Sequence, residues 1–458
     1  MISLRPYQQE GVAAIRSAIA DACRRILYVA PTGSGKTVLF SYIAQHAARL
    51  GTRVAICAHR DEIVGQISNT LADFDVPHGF IAAKRGISRP GLVTVAMIQT
   101  LARRHAPEFD LVVMDEAHHC ASDTYLKVMD RQPGAVLLGV TATPCRLSGR
   151  GLKDVFDLLV QGPAYSSLIA DGHLVPAKVY APSTVELKGI RSRGGDFERE
   201  KLAELLDRSQ ITGNAIAHYR RYLNGAPSIA FCCTVAHAEH TAERFRAEGF
   251  RAASIDGSMT AVERKQRLDG LANGALNLLC SCDLVSEGVD VPVVEGALML
   301  RPTKSTALYM QQVGRALRPS AGKTHAIVLD HVGNVFRHGL PDMDREWSLE
   351  EGCVRQPKPA DEDEPDIRQC PQCYAAHMRA PRCPECGWVY PPVERPKPVE
   401  TEEDLVLLTD EDKRLAIAAA RTLKDFHRVA KACGYKPGWA WARWKGRMQS
   451  GKLAKARI

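Results

Sequence analysis

The stretch "RILYVAPTGSGKTVLFSYIAQHAARL", Arg25 to Leu50, decides how the rest of the chain is read. Five residues of strand-like sequence, Arg25 to Val29, run into "APTGSGKT" (Ala30 to Thr37), and an amphipathic helical stretch follows at once. Glycines at such a strand-to-helix junction let backbone amides close around phosphate oxygens. The lysine, Lys36, reaches the β/γ oxygens, and the Thr37 hydroxyl ligates magnesium. Pro31, Thr32, Gly33, Ser34 and Gly35 complete the loop; the first glycine usual in this pattern is Ala30 here. A chance glycine turn would not account for the Lys-Thr pair at that junction.

Outward from this loop the strand-like runs recur. "RVAICAH" (Arg53), "GLVTVA" (Gly91), "FDLVVMDE" (Phe109) and "AVLLGVT" (Ala135) follow in the first part of the chain. The pattern lapses over roughly 162–207, where "IRSRGGDFERE" reads as polar loop. It resumes with "PSIAFCCT" (Pro227), "RAASID" (Arg251), "LNLLCSC" (Leu276), "EGALMLRP" (Glu295) and "THAIVLD" (Thr324). Continuous apolar strands separated by helical stretches indicate parallel sheets covered on both faces, so two α/β domains stand in tandem. Only the first has a phosphate loop.

In that first domain "VVMDEAHH" ends a strand on Asp115-Glu116, one carboxylate for the metal and the next for polarising the attacking water. A solvated loop start is the bland reading of an Asp-Glu pair, and the phosphate loop in the same sheet argues against it. Far downstream, "QQVGRALR" (Gln311 to Arg318) places Arg315 and Arg318 three apart on what reads as one turn of helix.

These motifs resemble those of superfamily 2 helicases, in the family's order. "LRPYQQEG" resembles the Q motif, which implies Arg5 and Gln8 at the adenine. "APTGSGKT" resembles motif I, "AHRDEIVGQ" motif Ia, "DEAH" (Asp115 to His118) motif II and "TATP" (Thr141 to Pro144) motif III. "SEGVDVP" (Ser286 to Pro292, with Asp290) resembles motif V and "QQVGRALR" motif VI; coverage runs from about Met1 to Asp330. The resemblance implies two RecA-like domains, ATP and Mg2+ as ligands, and Arg315 and Arg318 meeting the γ-phosphate from across a cleft. It also implies that His118, Thr141, Thr143 and Gln311 couple nucleotide state to a bound strand. Within the superfamily the likeness is to the XPB-like and RadD-like group, through "LRPYQQE", "RPTKSTALYMQQVGRALRPSAGKTHAIVLDHVGN" and the cysteine module beyond. "VELKGIRSRGGDFE" and "GYKPGWAWARWKGR" look like phage-borne members. A DNA-repair or other genome-maintenance setting is implied, with single-stranded or forked DNA as the substrate. The longer C-terminal extension of RadD-like proteins is lacking, so partners docking there do not carry over.

"CPQCYAAHMRAPRCPECG" sets Cys370, Cys373, Cys383 and Cys386 as two C-x2-C knuckles. Four thiolates in that layout suit tetrahedral zinc; a redox pair would need a thioredoxin-like context, which is absent. His377, between the knuckles, reads as a loop residue. Linkers rich in proline and acid flank the module, which makes it a mobile appendage in this reading.

Charge is uneven. The chain of 458 residues carries 60 Lys/Arg and 52 Asp/Glu, a formal +8. Residues 1–341 hold +7, 342–404 hold 8 basic against 16 acidic groups for −8, and 405–458 hold 13 against 4 for +9. A basic tail suits nucleic acid or a protein partner. It reads as a helical pair, started by Thr409 with Asp412 three residues on. Leu415, Ala419, Phe426, Val429, Ala430 and Cys433 share one face, Gly434 and Pro437 mark a turn, and Trp441, Trp444 and Met448 pack inward. Trp439 is left outside with Arg443 and Arg447, placed for base stacking.

The expected layout is a RecA-like ATP-binding domain at 1–165, a connector at 166–206 and a second RecA-like domain at 207–341. An acidic linker at 342–368, a zinc ribbon at 369–390, a Pro/acidic linker at 391–404 and the tail at 405–458 follow. No apolar run reaches the roughly 18 residues needed to cross a bilayer. Scattered single cysteines among the 14 suit a reducing compartment, hence the cytoplasm. Two rivals stay open: a translocase that moves on duplex without separating strands, or an RNA helicase in place of a DNA one. A non-hydrolysing adaptor is the third, opposed by the intact Lys36, Glu116 and Arg315.

Overall fold

The computed structural model describes residues 3–88, 91–104, 107–146, 150–182, 192–193, 196–197, 209–282, 294–350, 354–355, 367–391, 409–436 and 438–449. It divides into two units, 1–390 and 391–458.

Among its described residues the first unit holds two eight-stranded sheets and two small hairpins. Strands β1 (Arg25–Val29), β2 (Val54–Ala58), β3 (His78–Ala82), β4 (Gly86–Ser88), β5 (Val93–Met97), β6 (Leu111–Asp115), β7 (Val136–Thr141) and β8 (Leu158–Gln161) form one sheet. Its order is β4-β3-β5-β2-β6-β7-β1-β8, parallel except for β4 on β3. The apolar runs are continuous because both faces are covered. Along β1, Ile26 and Tyr28 enter one core while Leu27 and Val29 enter the other. Such period-two alternation between two buried faces is what a parallel sheet requires. The runs read from sequence become β1, β2, β5, β6 and β7; β3 and β8, at the polar margins, carry weaker signals.

The second sheet holds β9 (Ala177–Tyr180), β12 (Ser228–Phe231), β13 (Ala252–Ile255), β14 (Leu278–Ser281), β15 (Gly296–Met299) and β16 (Ala326–Asp330). A two-residue hairpin, β10 (Ser192–Arg193) with β11 (Asp196–Phe197), precedes β12 in sequence. Another, β17 (Glu346–Trp347) with β18 (Val354–Arg355), follows β16. The order is β13-β14-β12-β15-β16-β9, continued by β20 (Ala375–Met378) and β19 (Ile367–Gln369).

Three expectations change here. The segment read as a connector supplies β9, parallel to β16, and Leu168, Leu174, Val175 and Val179 of the second core, which Tyr165, just before it, also joins. Its strand is only four residues long and lies between Pro176 and Pro182, so periodicity passed it over. The cysteine module is no free appendage: β20 pairs antiparallel with β9, Ala375 opposite Tyr180 and Ala376 opposite Val179. Backbone hydrogen bonds run along that junction, with Lys178 paired to Glu385 at 2.8 Å, and the ladder itself leaves no side-chain pattern to read. His377 consequently sits on β20, buried, with Nε2 2.9 Å from the Tyr390 hydroxyl.

Among its described residues the second unit has three helices, Asp410–Ala419, Leu423–Ala432 and Trp439–Gln449. Thr409 and Asp412 form the expected capping box, and Thr422 with Asp425 forms another that restarts the chain after Ala420. That restart turns the faces. Phe426 and Ala440 are buried, with Val429, Ala430, Trp439 and Trp444 packed on them. Trp439 stacks on Tyr435 at 4.3 Å, while Trp441 is 52% exposed with Lys445 over its ring at 4.5 Å. The two tryptophans therefore exchange the roles read from sequence, and Leu415 is exposed rather than core.

Candidate active site

Two left-handed glycines shape the phosphate loop, Gly33 at φ +89° and Gly35 at φ +76°. At Gly35 a Cβ would stand 2.6 Å from the Gln8 amide nitrogen, so both backbone conformation and space demand glycine. The helix Lys36–Arg49 then starts with its free amides facing the loop. Lys36 folds back, its ammonium 3.1 Å from the carbonyls of Ala30 and Pro31. Burial lowers its pKa, Arg318 and Arg315 acting in the same sense, while Glu116 and Asp115 oppose them.

The Q-motif residues brace this loop. The Gln8 amide donates to the carbonyls of Ser34 and Gly35 at 3.3 and 3.2 Å, and its oxygen accepts the Arg5 N–H at 2.9 Å. The Tyr7 hydroxyl donates to the Ser34 carbonyl at 2.9 Å. Gln8 is thus a buried buttress of the loop, and Arg5 lines the cleft.

The end of β6 delivers Asp115 and Glu116. Asp115 is raised to about 7 by burial and by the Glu116 charge, with Lys36 and the Glu116 amide pulling the other way. Glu116 occupies the left-handed region, φ 50° and ψ 54°, which is uncommon for a residue with a side chain. The turn aims its carboxylate inward, Oε2 lying 3.4 Å from His118 Nδ1.

His118 is the link between domains. It is buried, with Nδ1 3.3 Å from Thr141 Oγ1 and Nε2 3.4 Å from the Gln311 amide nitrogen. Since Gln311 presents a donor, Nε2 accepts and Nδ1 carries the proton toward Thr141 and Glu116. Thr141 Oγ1 accepts the Thr143 N–H at 3.2 Å and donates to the Thr143 carbonyl at 3.0 Å. His118, Thr141, Thr143 and Gln311 therefore form one connected chain from the first domain to the second.

The second domain brings its arginines to the same place. Arg315 and Arg318 follow the buried helix Thr306–Gly314 and line a cleft of about 570 Å³ with Thr32, Gly33, Gly35, Lys36, Thr37, Asp115 and Glu116. The approach is close: a Cβ at Gly314 would stand 2.8 Å from Thr32 Cβ. Across the cleft Arg264 also pairs with Glu62 at 2.6 Å. Asp290 and the rest of Ser286–Pro292 lie outside the described residues.

At the cysteine module all four sulfurs lie within 4.8 Å of one another; Cys370 and Cys386 are 3.5 Å apart, Cys373 and Cys383 3.7 Å. Tetrahedral zinc with bonds near 2.3 Å sets its sulfurs about 3.8 Å apart, so the donors fit. Burial opposes ionisation of Cys370, yet the amides of Cys373 and Gln372 hold it down at about 6.

This arrangement defines a nucleotide hydrolase whose site is shared between two RecA-like domains. Residues 1–146 match the family model of the type III restriction enzyme res subunit, and 212–320 the helicase conserved C-terminal domain. A 51.5 kDa protein of a Lactococcus phage is 31% identical over 395 residues, covering 85% of this chain and 84% of that protein. Saccharomyces cerevisiae "Putative ATP-dependent helicase IRC3" is 27% identical over 355 residues, 72% of this chain and 51% of that protein. The match thus spans about half of the yeast relative's length. A DNA-bound ATP-dependent type ISP restriction-modification enzyme shares the fold, with TM-score 0.56 at 15% identity over 72% of this chain and 28% of that one. The chain belongs to the superfamily 2 helicases, and it is an ATP hydrolase of that family. No helix among the described residues is long and apolar enough to cross a membrane.

Proposed function

We propose that the chain is a DNA-stimulated ATPase that moves on, and separates, nucleic-acid strands. One observation carries the reading: Arg315 and Arg318 of one domain enter the cleft built by Lys36, Asp115 and Glu116 of the other. Lys36 leaves the loop carbonyls for the β/γ oxygens, Thr37 and Asp115 hold Mg2+, and Glu116 orients and polarises the attacking water. Arg315 and Arg318 neutralise charge that grows at the γ-phosphate, a contribution worth roughly 10³ to 10⁵ in rate. Pro31 to Gly35 wrap the phosphates, and Arg5 flanks the base end of the cleft. Hydrolysis then requires closure, and the His118–Gln311 contact passes closure and opening between the domains. Asp290 completes the proposed set from sequence. Cys370, Cys373, Cys383 and Cys386 hold Zn2+, which supplies folding energy to a module too small for a dry core.

The basic segment 405–458 adds affinity as a cationic module linked to the motor. Trp441, exposed beside Lys445, is the stacking surface there in place of Trp439.

ATPase rates without nucleic acid and with single-stranded DNA, duplex DNA and RNA test the reading, alongside Arg315→Ala. The expected result is stimulation greatest with DNA, and at least about a hundredfold loss in Arg315→Ala with nucleotide binding kept. Greatest stimulation by RNA would reassign the substrate. Triplex displacement without strand displacement would make the protein a duplex translocase.

A further inference from the structure

After β16 the chain does not leave the motor; it returns across the domain boundary. The Asp342 carboxylate accepts the Ala177 N–H at 2.8 Å, at the start of β9. Asp344 accepts both the N–H and the hydroxyl of Ser166, at 3.0 and 2.5 Å, in the first turn of the helix Tyr165–Ala170. Both anchors lie in the second domain. Arg345 is buried and donates to the carbonyls of His338, Leu340 and Met343 at 3.0, 2.8 and 2.9 Å, which fixes the turn.

From the Arg345 carbonyl onward, the contacts belong to the first domain. Gln161, the last residue of β8, donates to the Arg345 carbonyl at 3.1 Å and accepts the Trp347 N–H at 3.2 Å. The Leu349 carbonyl accepts the Lys153 N–H at 3.1 Å, and Lys153 pairs with Glu350. Trp347 and Leu349 pack on the first domain's core. A Cβ at Gly151 would collide with the Leu349 and Glu350 carbonyls, so the local sequence accommodates the crossing segment.

The position matters as much as the contacts. Gln161 immediately precedes Gly162-Pro163-Ala164, the covalent crossing from the first domain to the second. Gly162 donates to the Val29 carbonyl at 2.7 Å, one residue before the phosphate-loop stretch. Trp347 and Arg345 line a small void together with Pro31 of the phosphate loop, Ala142 of the Thr141–Pro144 motif and Tyr165.

We infer that residues 342–350 are an interdomain strap that turns a swivel into a hinge. A single chain crossing leaves the second domain free to rotate about its backbone bonds. Two crossings side by side, joined through Gln161, resist twisting and leave bending as the soft motion. Bending along one axis is what brings Arg315 and Arg318 back to the same place each cycle. Gln161, Arg345 and Trp347 are then positioning residues: they touch neither nucleotide nor metal. This rests on the proposed shared-site hydrolysis, which the arginines complete only on closure.

The test is the Gln161→Ala/Trp347→Ala double variant, with Trp347→Phe as the conservative control. Steady-state ATPase is measured alongside interdomain distance distributions from fluorophores at the exposed positions Leu50 and Val262. The expected result is a kcat lowered about five- to twentyfold and a KM for ATP within about twofold, because arginine placement acts in the transition state. The distance distribution broadens, and Trp347→Phe restores both. A merely structural role would lower melting temperature and active fraction without broadening the distribution of folded molecules, and that outcome overturns the strap. So does an unchanged distribution with unchanged kcat. An absence of ATPase in the wild-type chain would instead remove the hydrolysis reading, while the distance measurement would still judge the strap.

Discussion

Gly314→Ala should nearly silence the motor while leaving it folded and able to bind nucleotide. Gly314 is the last residue of the buried helix Thr306–Gly314, directly before Arg315, and its φ is not in the left-handed region. Alanine therefore costs nothing in backbone strain, and its helix propensity is better by up to about 1 kcal/mol. The added methyl carbon would stand 2.8 Å from Thr32 Cβ and 3.2 Å from Thr32 Cγ2 and Oγ1, across the cleft. Carbon atoms in comfortable contact are about 3.5 to 4.0 Å apart, so the surfaces must separate by roughly 1 Å. Thr32 cannot yield by a rotamer change, because its Cβ is fixed by the backbone. The arginine helix cannot yield alone either, since all of its residues from Ala307 to Gly314 are buried. The whole second domain must stay open by that amount, carrying Arg315 with it. Misplacement by about 1 Å at a reacting centre costs on the order of a hundredfold, or about 2.7 kcal/mol of barrier. Single-turnover ATP hydrolysis should fall by that factor, while fluorescent-nucleotide affinity and melting temperature hold. A turnover within about threefold of wild type would refute the close approach. So would a loss of nucleotide affinity in step with the rate.

Metal removal has a consequence set by the docking of β19 and β20. Chelation or Cys370→Ser should release about one equivalent of zinc and expose the β9 edge to proteolysis, lowering the melting temperature of the second domain; unchanged protease resistance would mean the ribbon stays seated without metal. Burial, with His218 beside it, pushes His331 down to about 3, and neither ring nitrogen has a hydrogen-bond partner. The unfolded imidazole titrates near 6.5, so stability is full above that pH. It falls as the pH drops from about 6.5 toward 3, by at most about 1.4 kcal/mol per pH unit. His331→Phe should flatten thermal melts recorded between pH 8 and 5, and equal slopes would refute the assignment. Deleting 405–458 should weaken DNA binding severalfold at low salt and flatten its salt slope, by roughly 0.9 for each duplex phosphate that the tail neutralises; Trp441→Ala should act mainly on single strands, and an equal weakening on duplex would argue against stacking.

The residues that make chemistry were legible because their signals are local. A phosphate loop, an Asp-Glu pair ending a strand and two cysteine knuckles each declare themselves within a few positions, and apolar runs mark the strands between them. What the sequence determined was thus the pair of sheets, the helicase family with its ATP hydrolysis, and the cluster of four cysteines. The tertiary structure decided the relations between distant segments. Backbone ladders such as β20 on β9 use groups that every residue possesses, so no residue type announces them. The return of residues 342–350 was hidden for the same reason: it rests on Gln161, Ser166 and Lys153, polar residues that otherwise read as loop surface. In the tail, a second capping box at Thr422 broke the helix that periodicity had carried through Ala420, and every face beyond the break rotated. That exchanged Trp439 for Trp441. Gln8 closed on the phosphate loop for a different reason: two left-handed glycines present the Ser34 and Gly35 carbonyls to it, and that approach exists only after the chain has folded.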